Sequence, residues 1–219
     1  MKTGNYVKYA FGGICCHVDA VHAAFPKADR FTDEIAAGVM DRTGCAGIIG
    51  TVSRTIADLN RPPGQGNDEA VWEYREVIGQ FLAGMGLLAP GSRSLARPYL
   101  HIGIHGMKDQ LHGPFSIEVG TIHGRTCSVR VRRWFGETLK EKVRHALPAA
   151  KVIFDKHWLG NPSLAAHRWG EGQRYPGYGK NYNAFQVEIA RTLREYHRQT
   201  MIDILADVVT EFNVTFSRR

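Results

Sequence analysis

Long apolar runs are missing from this chain: in 219 residues no stretch approaches the ~18 apolar positions that a membrane-spanning helix requires. The opening MKTGNYVKYAFGG also lacks the ~7–15-residue apolar run of a secretory signal, so the expectation is a soluble, cytoplasmic protein. Cysteine is scarce. The four present, Cys15, Cys16, Cys45 and Cys127, form no CxxC pair and read as buried reduced thiols, not as a disulfide scaffold. No fixed-period repeat occurs, and an apolar content of 43% is ordinary, which excludes collagen-like and disordered chains. Acidic residues are outnumbered, 21 Asp+Glu against 28 Lys+Arg, for a net charge of +7. The excess is scattered apart from Arg130, Arg132 and Arg133 and a terminal Arg218-Arg219 pair. No nucleic acid and no membrane is therefore expected as partner. A basic nucleic-acid-binding module is the remote alternative to a small anionic substrate.

What the chain does contain is alternation of strand-like and helix-like patterning. Residues 13–18, 46–52, 99–104, 115–119, 151–154 and 184–189 read as strands. Helical spacing covers 32–42, with Thr32 as N-cap and Gly44 at the close, then 71–82, 138–147 and a C-terminal stretch around 201–212. Residues 158–181, rich in Gly, Pro, Tyr and charge, read as one long irregular loop, a length that usually carries function. Arg168, Arg174, Tyr175, Tyr178 and Lys180 within it are candidates to cover a site. The pattern predicts a single α/β domain over residues 1–219, with a mixed, mostly parallel sheet and helices on both faces.

In such sheets ligands bind beyond the carboxyl ends of the strands. The polar residues falling there are His17, Asp19 and His22, then Arg54, Asp58, Asn60 and Arg61, then His105, and finally Glu188. Histidine, carboxylate and arginine from four segments make the residue set of a catalytic zinc site: three N/O ligands, an open position and a carboxylate base. Taken singly, each has a plainer reading. His17 and His105 could be hydrogen-bonded structural histidines, Arg54 and Arg61 surface charges, and Asp29 and Asp33 acids favoured by a helix N-terminus. Glu188 is harder to explain away. It alternates with Phe185, Val187 and Ile189, and a carboxylate on an apolar strand is raised in pKa by desolvation, as a general base at neutral pH requires.

The segment Ser53-Arg54-Thr55-Ile56-Ala57-Asp58-Leu59-Asn60-Arg61-Pro62-Pro63 resembles the SRxxxDLNRPP stretch of the N-formylglutamate amidohydrolase family. Residues 183–189 (NAFQVEI) are similar to that family's HALQxEI strand, and residues 115–127 to its DIVLGDRFGTSC stretch. ADRFTD at 28–33 resembles its TDWxxD helix start, and His105-Gly106-Met107 its HSM. These islands keep their order over nearly the whole chain.

The resemblance implies a zinc-dependent exopeptidase fold, related to aspartoacylases and carboxypeptidases, with one Zn2+. Carried over by position, it implies His17 and His105 as metal ligands with an acidic ligand between them, Asp29 or else Asp33. Glu188 would be the base and Arg54 the electrophile at the developing oxyanion. Asn60 and Arg61 would clamp a substrate carboxylate. The expected substrate is a small anionic N-acyl amino acid, N-formylglutamate among them, or a peptide C-terminus. A carboxypeptidase-like enzyme or another N-acyl amino acid deacylase is the alternative within the fold. The chain departs from the family pattern at Cys16-His17-Val18-Asp19 and at Gly103, where the family has an aspartate. His22 or Asp19 could therefore replace one of the ligands.

Overall fold

The computed structural model describes residues 1–89 and 91–216. In chain order its elements are β1 (Lys2–Thr3), β2 (Val7–Ala10), β3 (Cys16–Ala20), α1 (Thr32–Thr43), β4 (Ala46–Gly50), α2 (Asp68–Gly84) and β5 (Tyr99–Met107). They continue as β6 (Ser116–Gly120), α3 (Val129–Ala146), β7 (Lys151–Phe154), α4 (Pro162–Trp169), β8 (Tyr182–Ala190), α5 (Arg191–Tyr196) and α6 (Arg198–Phe216). The strands form one sheet in the order β1-β2-β4-β3-β5-β8-β6-β7. Its centre, β4-β3-β5-β8, is parallel; β6 runs against β8, and β2 against β4.

Side chains alternate across a pleated strand, so one residue in two faces each side. On one side Cys16 and Val18, Leu100, Ile102 and Ile104, and Phe185, Val187 and Ile189 join a continuous apolar core with α1, α3 and α6. Phe135 of α3 stacks on Phe185 with ring centroids 3.9 Å apart, and truncating such a buried ring to alanine costs ~3–5 kcal/mol. The opposite side bears His17, Asp19, His101, His105, Gln186 and Glu188, brought into line by the pairings His17↔His101, Asp19↔Gly103 and His105↔Glu188. That face packs on α2 through Tyr74, Val77, Ile78 and Phe81, and on α4 through Leu164 and Ala166. The polar row is thus buried between sheet and helices, with a cavity at the strands' carboxyl ends.

The architecture agrees with the α/β expectation, with three local corrections. The loop expected over 158–181 contains α4, whose Asn161 side chain accepts from the Ser163 N–H ahead of Pro162, a strong helix start. Helix α3 begins at Val129, well before residue 138, with the Ser128 hydroxyl accepting from the Val131 N–H. Thr32 does not cap α1: Phe31 holds that position, and the Thr32 hydroxyl donates to the Asp29 carbonyl at 2.7 Å. Among the described residues no helix is long and apolar enough to cross a membrane.

Candidate active site

At the carboxyl ends of the parallel strands lies a cavity of about 370 Å³, lined in part by His22, Asp29, Arg54, Asn60, Arg61, His105 and Glu188. His22 follows the end of β3 and His105 lies near the end of β5, while Asp29 sits in the loop leading to α1. The Nδ1 atoms of His22 and His105 each stand 3.6 Å from Asp29 Oδ2, and the two rings meet edge-on with centroids 4.9 Å apart. One ligand atom from each of the three residues lies within 4.8 Å of the others.

The donor set fits a divalent cation. His22 Nε2 is 2.7 Å from Asp58 Oδ1, so the ring proton belongs on Nε2 and Nδ1 keeps its lone pair. That Nδ1 is buried and has no hydrogen-bond partner. Ligands ~2.0–2.1 Å from a tetrahedral ion lie about 3.3 Å from one another, near the spacing seen here. Burial alone would raise the Asp29 carboxyl, but His105, His22 and the Arg54 charge outweigh it and hold the group well below the usual carboxylate range. An ionised Asp29 thus turns one oxygen to Arg54 and the other to two imidazole nitrogens, a donor set suited to a cation.

Around this cluster the remaining side chains are held by specific contacts. Glu188, 4% exposed, accepts from Gln186 Nε2 at Oε1 (2.8 Å). Gln186 in turn accepts from Asn60 Nδ2 at 3.2 Å. Burial pushes the Glu188 carboxyl up; the His105 charge and the Gln186 bond offset this in part. For His105 the balance is reversed: burial lowers its pKa, but Asp29 and Glu188 prevail and raise it. Arg54 Nη2 is ion-paired with Asp29 Oδ1 at 2.5 Å, and its buried Nε has no hydrogen-bond partner among the described residues. Arg61 is 54% exposed at the rim, its Nε 3.6 Å from Asp58 Oδ2.

Two supports keep the parts together. Arg194, at 6% exposure, donates to the carbonyls of Ile189, Met107 and Arg30. Its guanidinium fills the space beside Gly106, where a Cβ would come within 2.5 Å of Cζ. On the far wall, buried Glu118 accepts the N–H groups of Lys156 (2.8 Å), His157 (2.5 Å) and Trp158 (2.9 Å) at Oε1, and pairs with His112 through Oε2 (2.7 Å). Burial would raise the Glu118 carboxyl, but these bonds together hold it below its ordinary value. The segment it suspends, His157 to Asn161, lines the cavity.

Of the residues expected from sequence, the structure brings together Asp29, His105, Glu188, Arg54, Asn60 and Arg61, but not His17. His17 lies inside β3, fully buried, with Nδ1 3.0 Å from the Tyr99 hydroxyl and its ring stacked 4.0 Å from that of His101. The place beside Asp29 is taken by His22. Asp33 lies in the first turn of α1 and is not part of the cluster. Asp58 falls after its strand in the sequence, and the structure adds its pairing with His22, for which its spacing before Asn60-Arg61 is the available signal. Gln186 and Glu118 give no such signal, because their partners Asn60 and residues 156–158 lie in distant loops. The loop residues Arg168, Tyr175 and Tyr178 do not cover the site. Arg168 is buried against the Tyr182 carbonyl, and both tyrosines line a separate cavity beside Trp72.

The parallel strands of this α/β sheet thus end in a His–Asp–His cluster beside a buried glutamate. Comparison with solved structures places its fold with an N-formylglutamate amidohydrolase from Ralstonia eutropha JMP134, at 14% identity and TM-score 0.67 over 95% of this chain and 97% of that one. A gene product of Agrobacterium tumefaciens is similar at 13% identity and TM-score 0.64, over 95% of this chain and 94% of its own. No family model matches the sequence, and no curated protein does. The likeness establishes the fold that the DLNRPP resemblance implied.

Proposed function

We propose that this chain is a metal-dependent amidohydrolase acting on a small N-acyl amino acid with a free carboxylate. The observation that carries the reading is the convergence of His22 Nδ1, His105 Nδ1 and Asp29 Oδ2 beside the buried Glu188 carboxyl. His22, Asp29 and His105 would hold one divalent ion, Zn2+ by the chemistry of an N,N,O donor set. Such an ion, when bound, acidifies water and polarises a carbonyl.

The protein's own groups do the rest. Glu188 has the raised pKa of a carboxylate that accepts a proton from attacking water and returns it to the leaving amine nitrogen. Gln186 occupies its Oε1, which leaves Oε2 for the transferred proton. Arg54, ion-paired with Asp29 through Nη2 but with Nε unpartnered among the described residues, lines the same cavity and can stabilise the carbonyl oxygen as it gains charge. Asn60 is oriented by Gln186 and by the Ser163 hydroxyl, 3.3 Å from its Oδ1. With Arg61 at the mouth it forms a clamp for a carboxylate, since a guanidinium offers two parallel N–H bonds. A cavity of about 370 Å³ supports a small substrate over an extended peptide.

The test is metal analysis of the purified protein joined to a panel of N-formyl and N-acetyl amino acids and C-terminal dipeptides. Stoichiometric transition metal and turnover confined to N-acyl amino acids bearing a carboxylate are expected. Preference for dipeptides would favour the carboxypeptidase-like alternative, and absence of both metal and turnover would overturn the reading.

A further inference from the structure

His105 turns Nδ1 toward Asp29, so a ring able to coordinate there must carry its proton on Nε2. A buried N–H needs an acceptor, and none of the hydrogen bonds from described side chains supplies one. A carboxylate is offered from the neighbouring strand. Asp19 of β3 lies opposite Gly103 of β5, two residues before His105. Its Oδ2 is already engaged, accepting from the Tyr74 hydroxyl at 2.5 Å and lying 2.7 Å from His101 Nε2. Among the described residues none donates to Oδ1. Between Asp19, Gly103 and His105 lies a cavity of about 10 Å³, reached also by Ser163 and Asn60. Gly103 keeps it open: a Cβ built there falls 3.3 Å from Asp19 Oδ1 and 3.5 Å from His105 Nε2, inside the space the two share. A polar pocket of ~10–15 Å³ holds one water.

We propose that Asp19 is the positioning residue for His105, its Oδ1 accepting, through a single buried water over Gly103, the hydrogen bond that fixes the His105 proton on Nε2. The proposal deepens the metal-site reading, on which its link to function rests. His22 and His105 then obey one scheme, with Asp58 directly behind the first ring and Asp19 through water behind the second.

Two variants test it. Asp19→Asn keeps the side chain's shape and an oxygen for Tyr74 and His101, but turns the acceptor facing the water into a donor. Gly103→Ala leaves Asp19 untouched and puts a methyl where the water sits. Each should weaken zinc binding by the chelator-stripped full-length protein roughly 10–100-fold, measured against a competing chromophoric chelator. In both, long-range 1H–15N spectra of the metal-free protein, recorded at a pH where His105 is neutral, should show its tautomer shift from mainly Nε2–H in wild type to a mixture. Thermal unfolding without metal reads any general loss of structure. Zinc affinity within twofold of wild type in both variants, or an unchanged tautomer, overturns the proposal. A wild type that binds no zinc would defeat the metal-site reading instead, and the tautomer spectra would still decide the role of Asp19.

Discussion

Glu118→Gln probes how the cavity wall is held. The wild-type carboxylate accepts three consecutive backbone N–H groups at one oxygen and pairs with His112 at the other, in a position with no solvent exposure. A hydrogen bond to an ionised acceptor contributes ~1.5–3 kcal/mol against ~1 for a neutral one, so neutralising one that serves three donors removes about 3 kcal/mol. For a chain of this size that lowers Tm by about 6–12 °C. The pH dependence follows from the depressed carboxyl. Its contribution is complete above the unfolded value of ~4.3 and disappears as pH falls through the lower folded value. Urea unfolding followed by tryptophan fluorescence from about pH 7 to about pH 3 should therefore find the two proteins converging in acid. KM should rise as well, because His157 and Trp158 line the cavity. A variant within about 1 kcal/mol of wild type at neutral pH, or a stability gap independent of pH, would refute the reasoning.

Three further outcomes are expected. Glu188→Gln should lower kcat by about 10²–10⁴ with metal content unchanged by elemental analysis; equal kcat would remove the glutamate from the reaction. His22→Ala should abolish metal retention, whereas His17→Ala should keep the metal and lose a few kcal/mol of stability, on the order of 1–3 for a broken buried polar contact. The reverse pattern would restore His17 to the site. Arg61→Lys should raise KM for substrates with a free carboxylate at least about tenfold, and equal loss on a neutral amide analogue would end the clamp assignment.

Most of the fold could be read from periodicity, because the central strands are apolar on at least one face and bounded by glycine or polar turns. The site was legible where its residues sit in one local segment, as in Arg54 through Arg61, or at a clear strand end, as His105 and Glu188 do. The exchange of His17 for His22 has a simple cause. Placing the first strand at residues 13–18 set His17 at its end, but β3 runs from Cys16 to Ala20, so His17 points into the packed face and the chain emerges at His22. Helix α4 was hidden by the glycines and tyrosines around it, although Asn161-Pro162 announced its start. Partners brought in by distant loops, such as Asn60 on Gln186, cannot be read from one strand alone.

The guanidinium of Arg194 reaches the carbonyl ends of two strands and the segment that delivers Asp29. A cation lodged at that junction makes the spacing between the would-be ligands and the glutamate a property of the scaffold, present before anything binds. Change of ligand preference would then proceed at the rim, through Arg61 and the 157–161 wall, while the inner cluster stays where the helix that follows β8 has pinned it.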